Sequence, residues 1–341
     1  QGNPFPIICG TSAGAINAAV LASHAHHFEA GVARLAEHWG SMHCARIYRT
    51  DPWSVLSAGL HWILTFLSAG LLPVTPRSLL DNAPLRTFLN AAFDREGIAA
   101  AVRSGALRGV AITAAGYTTA RAVTFYQGPN GITPWQRARR AGVPTELGVR
   151  HLLASAALPL IFPAERVDGE YFGDGGMRML APLSPAIHLG ADRVLVVATR
   201  DEKPDPPPSG ASDYPSLGEI GGYLLDAIFM DTLTADLARM HRVNQTLALL
   251  GDAGREAAGL RHIESLVIRP SRDLRTVTQE HLREIPRAVR MLLRTLGGWG
   301  RDWRMASYLL FEASYCRELM RLGHADCMAR REDIRRFLLA G

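Results

Sequence analysis

The chain has 341 residues, 48% hydrophobic and 20% charged, an ordinary globular balance that excludes a disordered or low-complexity protein. Its formal net charge of +5 favours contact with anionic surfaces, but the basic residues are spread out rather than gathered in a tail, which argues for anionic lipid over nucleic acid. Cys9, Cys44, Cys316 and Cys327 show neither zinc-ligand nor disulfide-framework spacing, so a reducing compartment is expected.

The sequence opens at Gln1 with no signal-peptide pattern and enters an apolar strand almost at once, as expected of a fragment whose own N-terminus lies upstream. Residues 5–9 form that strand, Gly10 closes it, and residues 13–22 are Ala-rich with helical spacing, which gives strand, tight turn, helix. His24, His26 and His27 follow, but their spacing does not put three ligands on one helical face, so they are expected at a solvated helix end and no metal is expected. Residues 53–74 contain no Asp, Glu, Lys or Arg; a membrane-dipping lid, a buried helical pair and a bilayer span are the three readings open to them. Residues 109–114 and 123–126 are strands joined through residues 116–120, and residues 193–199 (RVLVVAT) have the composition of a parallel strand covered on both faces. Prolines bar residues 203–210 from helix or sheet. From Leu217 onward the apolar spacing is helical, and Arg283, Arg287, Arg290, Arg294, Arg301 and Arg304 recur near it, either as a basic face toward lipid headgroups or as a solvated one. Alternating strands and helices in the first 200 residues make the fold class α/β.

Two short motifs carry the chemistry. Gly10-Thr11-Ser12-Ala13-Gly14 fits G-x-S-x-G at the strand-to-helix turn. A serine hydroxyl is a poor nucleophile until it is exposed, oriented and beside a base. The turn exposes and orients it, Gly10 and Gly14 permit the tight backbone, and the helix N-terminus brings amide donors such as that of Ala13 toward developing negative charge. The competing role for Ser12 is a helix cap in a Gly-rich turn. For a base, a Ser-His-Asp enzyme would use an acid and a later histidine, and His151, His188, His241, His262, His281 and His324 all follow Ser12. Residues 167–176 (VDGEYFGDGG) offer an alternative: Asp168-Gly169 has the composition of a hairpin turn, whereas Asp174 ends the second strand-like piece before Gly175 and Gly176, which leave its carboxylate accessible.

Ser12 with the later Asp174-Gly175-Gly176 resembles the patatin-like phospholipase family. The segments Ser155-Ala156-Ala157-Leu158-Pro159 with Phe162-Pro163, Pro182-Leu183-Ser184-Pro185-Ala186-Ile187, and Leu189-Gly190-Ala191-Asp192 before the Val194 strand extend the likeness over residues 5–200. The resemblance implies a three-layer α/β/α fold with a mostly parallel central sheet, and a Ser12–Asp174 dyad that needs no histidine, metal or organic cofactor. Gly10, Ala13, Gly14, Gly175 and Gly176 would shape the turn and support the oxyanion. It also implies a phospholipid or other fatty acyl ester as substrate, a membrane surface as partner, no nucleic acid, and a cytoplasmic place, peripheral at the inner membrane. Asp174 would need a raised pKa, with Tyr171 or Phe172 as walls. Family members carry a Gly-rich oxyanion loop after a first strand, ahead of the serine motif. Only Gly2 precedes Gly10 here, so that strand and loop are missing from the expected catalytic domain, residues 1–202. Met179-Leu180-Ala181-Pro182 lacks the Asn that the family often places before this proline. A linker, residues 203–216, and a helical region, residues 217–341, complete the expected organisation. A Ser-His-Asp carboxylesterase and a non-catalytic, membrane-associated scaffold of the same fold are the alternatives.

Overall fold

A computed structural model describes residues 2–67, 77–201, 214, 216–228, 232–251, 254, 257, 259–299 and 303–339. Its strands are β1 (Ile7–Thr11), β2 (Gly109–Gly116), β3 (Ala122–Gln127), β4 (Trp135–Arg137), β5 (Arg140–Pro144), β6 (Glu165–Val167), β7 (Glu170–Asp174), β8 (Arg193–Val197) and β9 (Glu264–Ile268). The longer helices of the first half are α1 (Ala13–Ser23), α2 (Phe28–Gly40), α3 (Pro52–Leu67), α4 (Ala83–Ala92), α5 (Arg95–Arg103) and α6 (Val149–Ser155). Those of the second half are α7 (Leu217–Ile228), α8 (Thr232–Leu249), α9 (Leu274–His281), α10 (Arg287–Thr295), α11 (Ala313–Ala329) and α12 (Arg331–Leu339).

Strands β1 to β7 form one seven-stranded sheet centred on β2, every residue of which is buried. Side chains alternate across a strand, and β2 divides accordingly. Val110, Ile112 and Ala114 join the main core, with Ala15, Ala18, Ala19 and Ala22 of α1, whereas Ala111 joins Tyr126, Trp135 and Leu189 on the other face. The small residues of α1 let its backbone approach the sheet, and each large apolar side chain fully buried beyond them contributes about 2 kcal/mol. The α/β class and the helical C-terminal region are as expected. Within the sheet, β1–β2 and β3–β5 are parallel and the other pairings are antiparallel, so the sheet is mixed, with less parallel pairing than the sequence suggested. Short connections explain this: the β2–β3 and β6–β7 pairs are hairpins, and Asp168 and Gly169 close the latter at φ 47° and 92°, the left-handed pair of a type I′ turn.

The second half of the chain buttresses the first rather than standing apart. Val277, Ile285, Val289, Leu293, Leu309, Leu310 and Tyr315 enter the same core as the sheet, and the Tyr48 hydroxyl donates to the Leu309 carbonyl at 2.6 Å. One departure from helix there is β9, which pairs in parallel with β8 in a separate two-stranded sheet. Leu233, Leu237 and Met240 of α8 pack on it with Val194 and Val196. With one partner strand, β8 is only partly buried, unlike the doubly covered strand its composition suggested. Of residues 203–216, only Tyr214 and Ser216 are described; residues 68–74 and Arg301 also lie outside the described residues. Among the described residues no helix is long and apolar enough to cross a membrane.

Candidate active site

Ser12 stands at the joint between β1 and α1 with φ 56° and ψ −130°, a conformation that costs a non-glycine residue about 1–3 kcal/mol and persists only where its surroundings enforce it. Three contacts do so. The Ser12 N–H donates to Ser155 Oγ at 2.9 Å, and Ser155 Oγ in turn donates to the Thr113 carbonyl at 2.6 Å. The Ser12 carbonyl accepts from the Ala15 N–H at 2.9 Å, opening α1. The glycine at position 10 is obligatory on steric grounds: a Cβ there would lie 2.1 Å from the Gly14 carbonyl oxygen. At the start of α1 the Ala13 amide has no intrahelical acceptor.

Asp174 reaches Ser12 through the pairing of β2. One edge of β2 is taken by β3 over residues 110–115. The other edge is shared: β1 runs parallel along residues 109–113 and ends with Thr11 opposite Thr113, whereas β7 runs antiparallel along residues 114–116 and ends with Asp174 opposite Ala114. The C-terminal ends of β1 and β7 therefore meet head to head, and the residues they deliver are Ser12 and Asp174. Gly175 turns the chain away at that junction, where a Cβ would lie 2.1 Å from the Thr113 carbonyl oxygen and 2.8 Å from Thr11 Cγ2.

The carboxylate is fully buried. Oδ1 accepts the Gly176 N–H at 2.9 Å, and Oδ2 has no partner at hydrogen-bond distance among the described residues. Burial raises the pKa of Asp174 from its ordinary 3.8 to about 7, against the Ser12 hydroxyl and the Gly176 amide, which lower it. The Ser12 contact is thus close enough to act on the carboxylate yet looser than a formed hydrogen bond, as is common before substrate tightens a site. The Tyr117 and Tyr308 phenols also lie within reach of its charge, which helps to raise both of their pKa values.

The wall expected from Tyr171 is not there: Tyr171 is exposed, and the Arg166 guanidinium lies over its ring. Phe172, on the same side of β7 as Asp174, is buried against Phe125. The loop after Asp174 is pinned from α8. Thr232 Oγ1 donates to the Met179 carbonyl at 2.5 Å, and buried Asp236 accepts the Leu183 N–H at 3.1 Å. Asp236 is therefore an internal anchor that fixes the stretch lacking the family's Asn. Among the described residues no histidine bonds Ser12 or Asp174. His151 is buried and accepts the Gly148 N–H, while His188 stacks on Trp135. His24 turns back onto Ser23 and Val20, and no group of three His, Cys, Asp or Glu among the described residues could hold a metal.

The family model for patatin-like phospholipases matches residues 1–187, more than half of the chain and a span that includes both Ser12 and Asp174. The chain belongs to the patatin-like phospholipase family. That family is one of lipid acyl hydrolases, and it implies a lipid ester as the substrate class. No curated protein matches the chain. Ser155 is the functional residue that motif reading passed over. It lay inside a block quoted for the resemblance, but nothing local signals that its hydroxyl joins the Ser12 amide to Thr113.

Proposed function

We propose that the chain hydrolyses fatty acyl esters of phospholipids or lysophospholipids through a Ser12–Asp174 dyad. The observation that carries this is the head-to-head meeting of β1 and β7, which brings a strained, half-buried serine to a buried carboxylate whose pKa burial has lifted to about 7. A carboxylate at its ordinary pKa would be a feeble base at neutral pH; near 7 it matches the operating pH, where general-base efficiency is greatest. Oγ of Ser12 attacks the ester carbonyl as Asp174 takes its proton. Collapse of the tetrahedral intermediate breaks the ester C–O bond, and Asp174 returns the proton to the leaving alcohol. Water then attacks the acyl-enzyme with the same proton relay and releases the fatty acid. The Ala13 amide supplies one oxyanion donor, an interaction of a kind that contributes about 3 kcal/mol to the transition state. In this reading residues 1–202 are the catalytic domain, residues 217–341 hold it in shape, and the chain works peripherally at a membrane surface.

Hydrolysis of a soluble short-chain nitrophenyl ester and of phosphatidylcholine tests the dyad. Ser12→Ala and Asp174→Asn are expected to abolish both activities, and His151→Ala to leave them within a few-fold. Loss on removing a histidine with retention in Asp174→Asn would replace the dyad by a Ser-His-Asp triad.

A further inference from the structure

Helix α3 is apolar on two sides. Val55 is buried in the core, and Gly59 faces Leu292 of α10. Trp53, Leu56, Leu60 and Leu64 recur at intervals of three or four on another side, and they are 79%, 63%, 53% and 41% exposed. No charged residue interrupts Pro52–Leu67. Single exposed leucines are ordinary, but a continuous stripe of four large apolar side chains marks an interaction surface.

Helix α10 packs beside α3 and carries charge on its own exposed side. Leu292 meets α3, Met291 beside it is exposed, and Arg287, Arg290 and Arg294 follow around the same helix. Among the described residues these three and Arg283 have no carboxylate partner. Arg283, Arg290 and Arg294 line an open cleft of about 520 Å³ with Trp299 and Trp303. The two indoles meet edge to face at 5.7 Å, and the Arg294 guanidinium lies 5.3 Å over the Trp299 ring. Glu280, the acid in the cleft lining, is engaged by Arg272. Apolar stripe, interfacial tryptophans and unpaired arginines together match the acyl boundary, headgroup belt and phosphates of a lipid surface.

We propose that α3 and the arginine cleft beside α10 form the docking surface for an anionic phospholipid bilayer, with Trp53, Leu56, Leu60 and Leu64 entering the acyl boundary and the cleft receiving a headgroup phosphate. Its biological sense rests on the lipid hydrolase reading above. The 16 described residues of α3 are fewer than a bilayer span needs, and in this docking they lie in the membrane plane. The chain that follows α3 also returns toward the site: the Leu79 and Leu80 amides donate to the carbonyls of Leu160 and Ile161, just past Ala157, which holds the Asp174 amide. Leu160 is itself exposed, with φ 67°.

Co-sedimentation of the Ser12→Ala chain with lipid vesicles tests the surface without turnover. Vesicles of phosphatidylcholine mixed with phosphatidylglycerol are expected to bind about tenfold more tightly than phosphatidylcholine alone, and raised salt is expected to erase the difference. Leu56→Glu with Leu60→Glu should weaken binding to both vesicles about tenfold. Arg283→Glu with Arg290→Glu should remove the preference for phosphatidylglycerol. Thermal unfolding shows that each variant is folded, since all four positions are exposed or half-exposed. Binding by either pair of variants equal to that of the parent overturns the proposal, as does a dimer in light scattering that the leucine changes dissociate while the parent binds no vesicle. On a soluble ester the otherwise wild-type chain should be indifferent to these changes. Inactivity there beside intact vesicle binding would defeat the dyad and not the surface.

Discussion

Asp174→Asn should change how the stability of this protein depends on pH, in a direction set by the burial of the carboxylate. In the folded chain the Asp174 pKa stands at about 7, against an ordinary 3.8 that approximates the unfolded chain. Below pH 3.8 the group is protonated in both states and costs nothing. Between 3.8 and 7 the unfolded chain binds fewer protons than the folded one, so stability falls as pH rises, and above 7 the full cost remains. At about 1.4 kcal/mol per pKa unit the cost is about 4 kcal/mol. The Asn variant keeps an oxygen for the Gly176 amide and carries no charge, so it escapes this cost. Urea unfolding of parent and variant at matched pH values from 4 to 8 isolates it, because all other groups titrate alike. The variant should gain about 4 kcal/mol on the parent across that window. A difference that stays constant within about 1 kcal/mol, the size of ordinary substitution effects, would refute a desolvated Asp174.

The same carboxylate sets the pH dependence of turnover: kcat/KM for a soluble ester should rise with pH and level off above about 7 as Asp174 ionises, and a profile already flat at pH 5 would count against it. Ser155→Ala strands the Ser12 amide and the Thr113 carbonyl, at a cost of about 2–3 kcal/mol in urea unfolding, and should lower kcat more than it raises KM. Ser155→Thr, which keeps the hydroxyl, should recover part of that kcat. Gly175→Ala forces a Cβ against the Thr113 carbonyl where β1 and β7 meet and should destabilise by about 3 kcal/mol, seen as a lower Tm. Asp236→Ala leaves the Leu183 amide unpaired and should cost about 1–3 kcal/mol, with the loop after Asp174 more open to hydrogen exchange.

Local patterns made the turn at Ser12 and the strand ending at Asp174 legible, because each depends on chemistry within a few residues: β-branched Ile7 and Ile8 before Gly10, small residues in α1, and the Asp168-Gly169 hairpin ahead of Asp174. What brings the two motifs together was not legible. The sharing of one edge of β2 by β1 and β7, the bridge through Ser155 and the pin from Asp236 are contacts between residues far apart in sequence, and no period or turn composition encodes them. Strand β9 escaped notice for a related reason. Glu264–Ile268 is a short run set among helical segments, and its pairing with β8 decides its state more than its own propensity does. Tyr171 misled because, three residues before Asp174 in β7, it points to the opposite side of the strand.

Covalent labelling with a fluorophosphonate probe, located by mass spectrometry, decides whether Ser12 is a nucleophile activated by Asp174 alone. A Ser12–Asp174 dyad gives an adduct on Ser12 that disappears in Ser12→Ala, falls at least about 100-fold in rate in Asp174→Asn, as loss of a general base requires, and survives His151→Ala. Labelling of Ser12 that persists in Asp174→Asn, or that a histidine substitution removes, would contradict it.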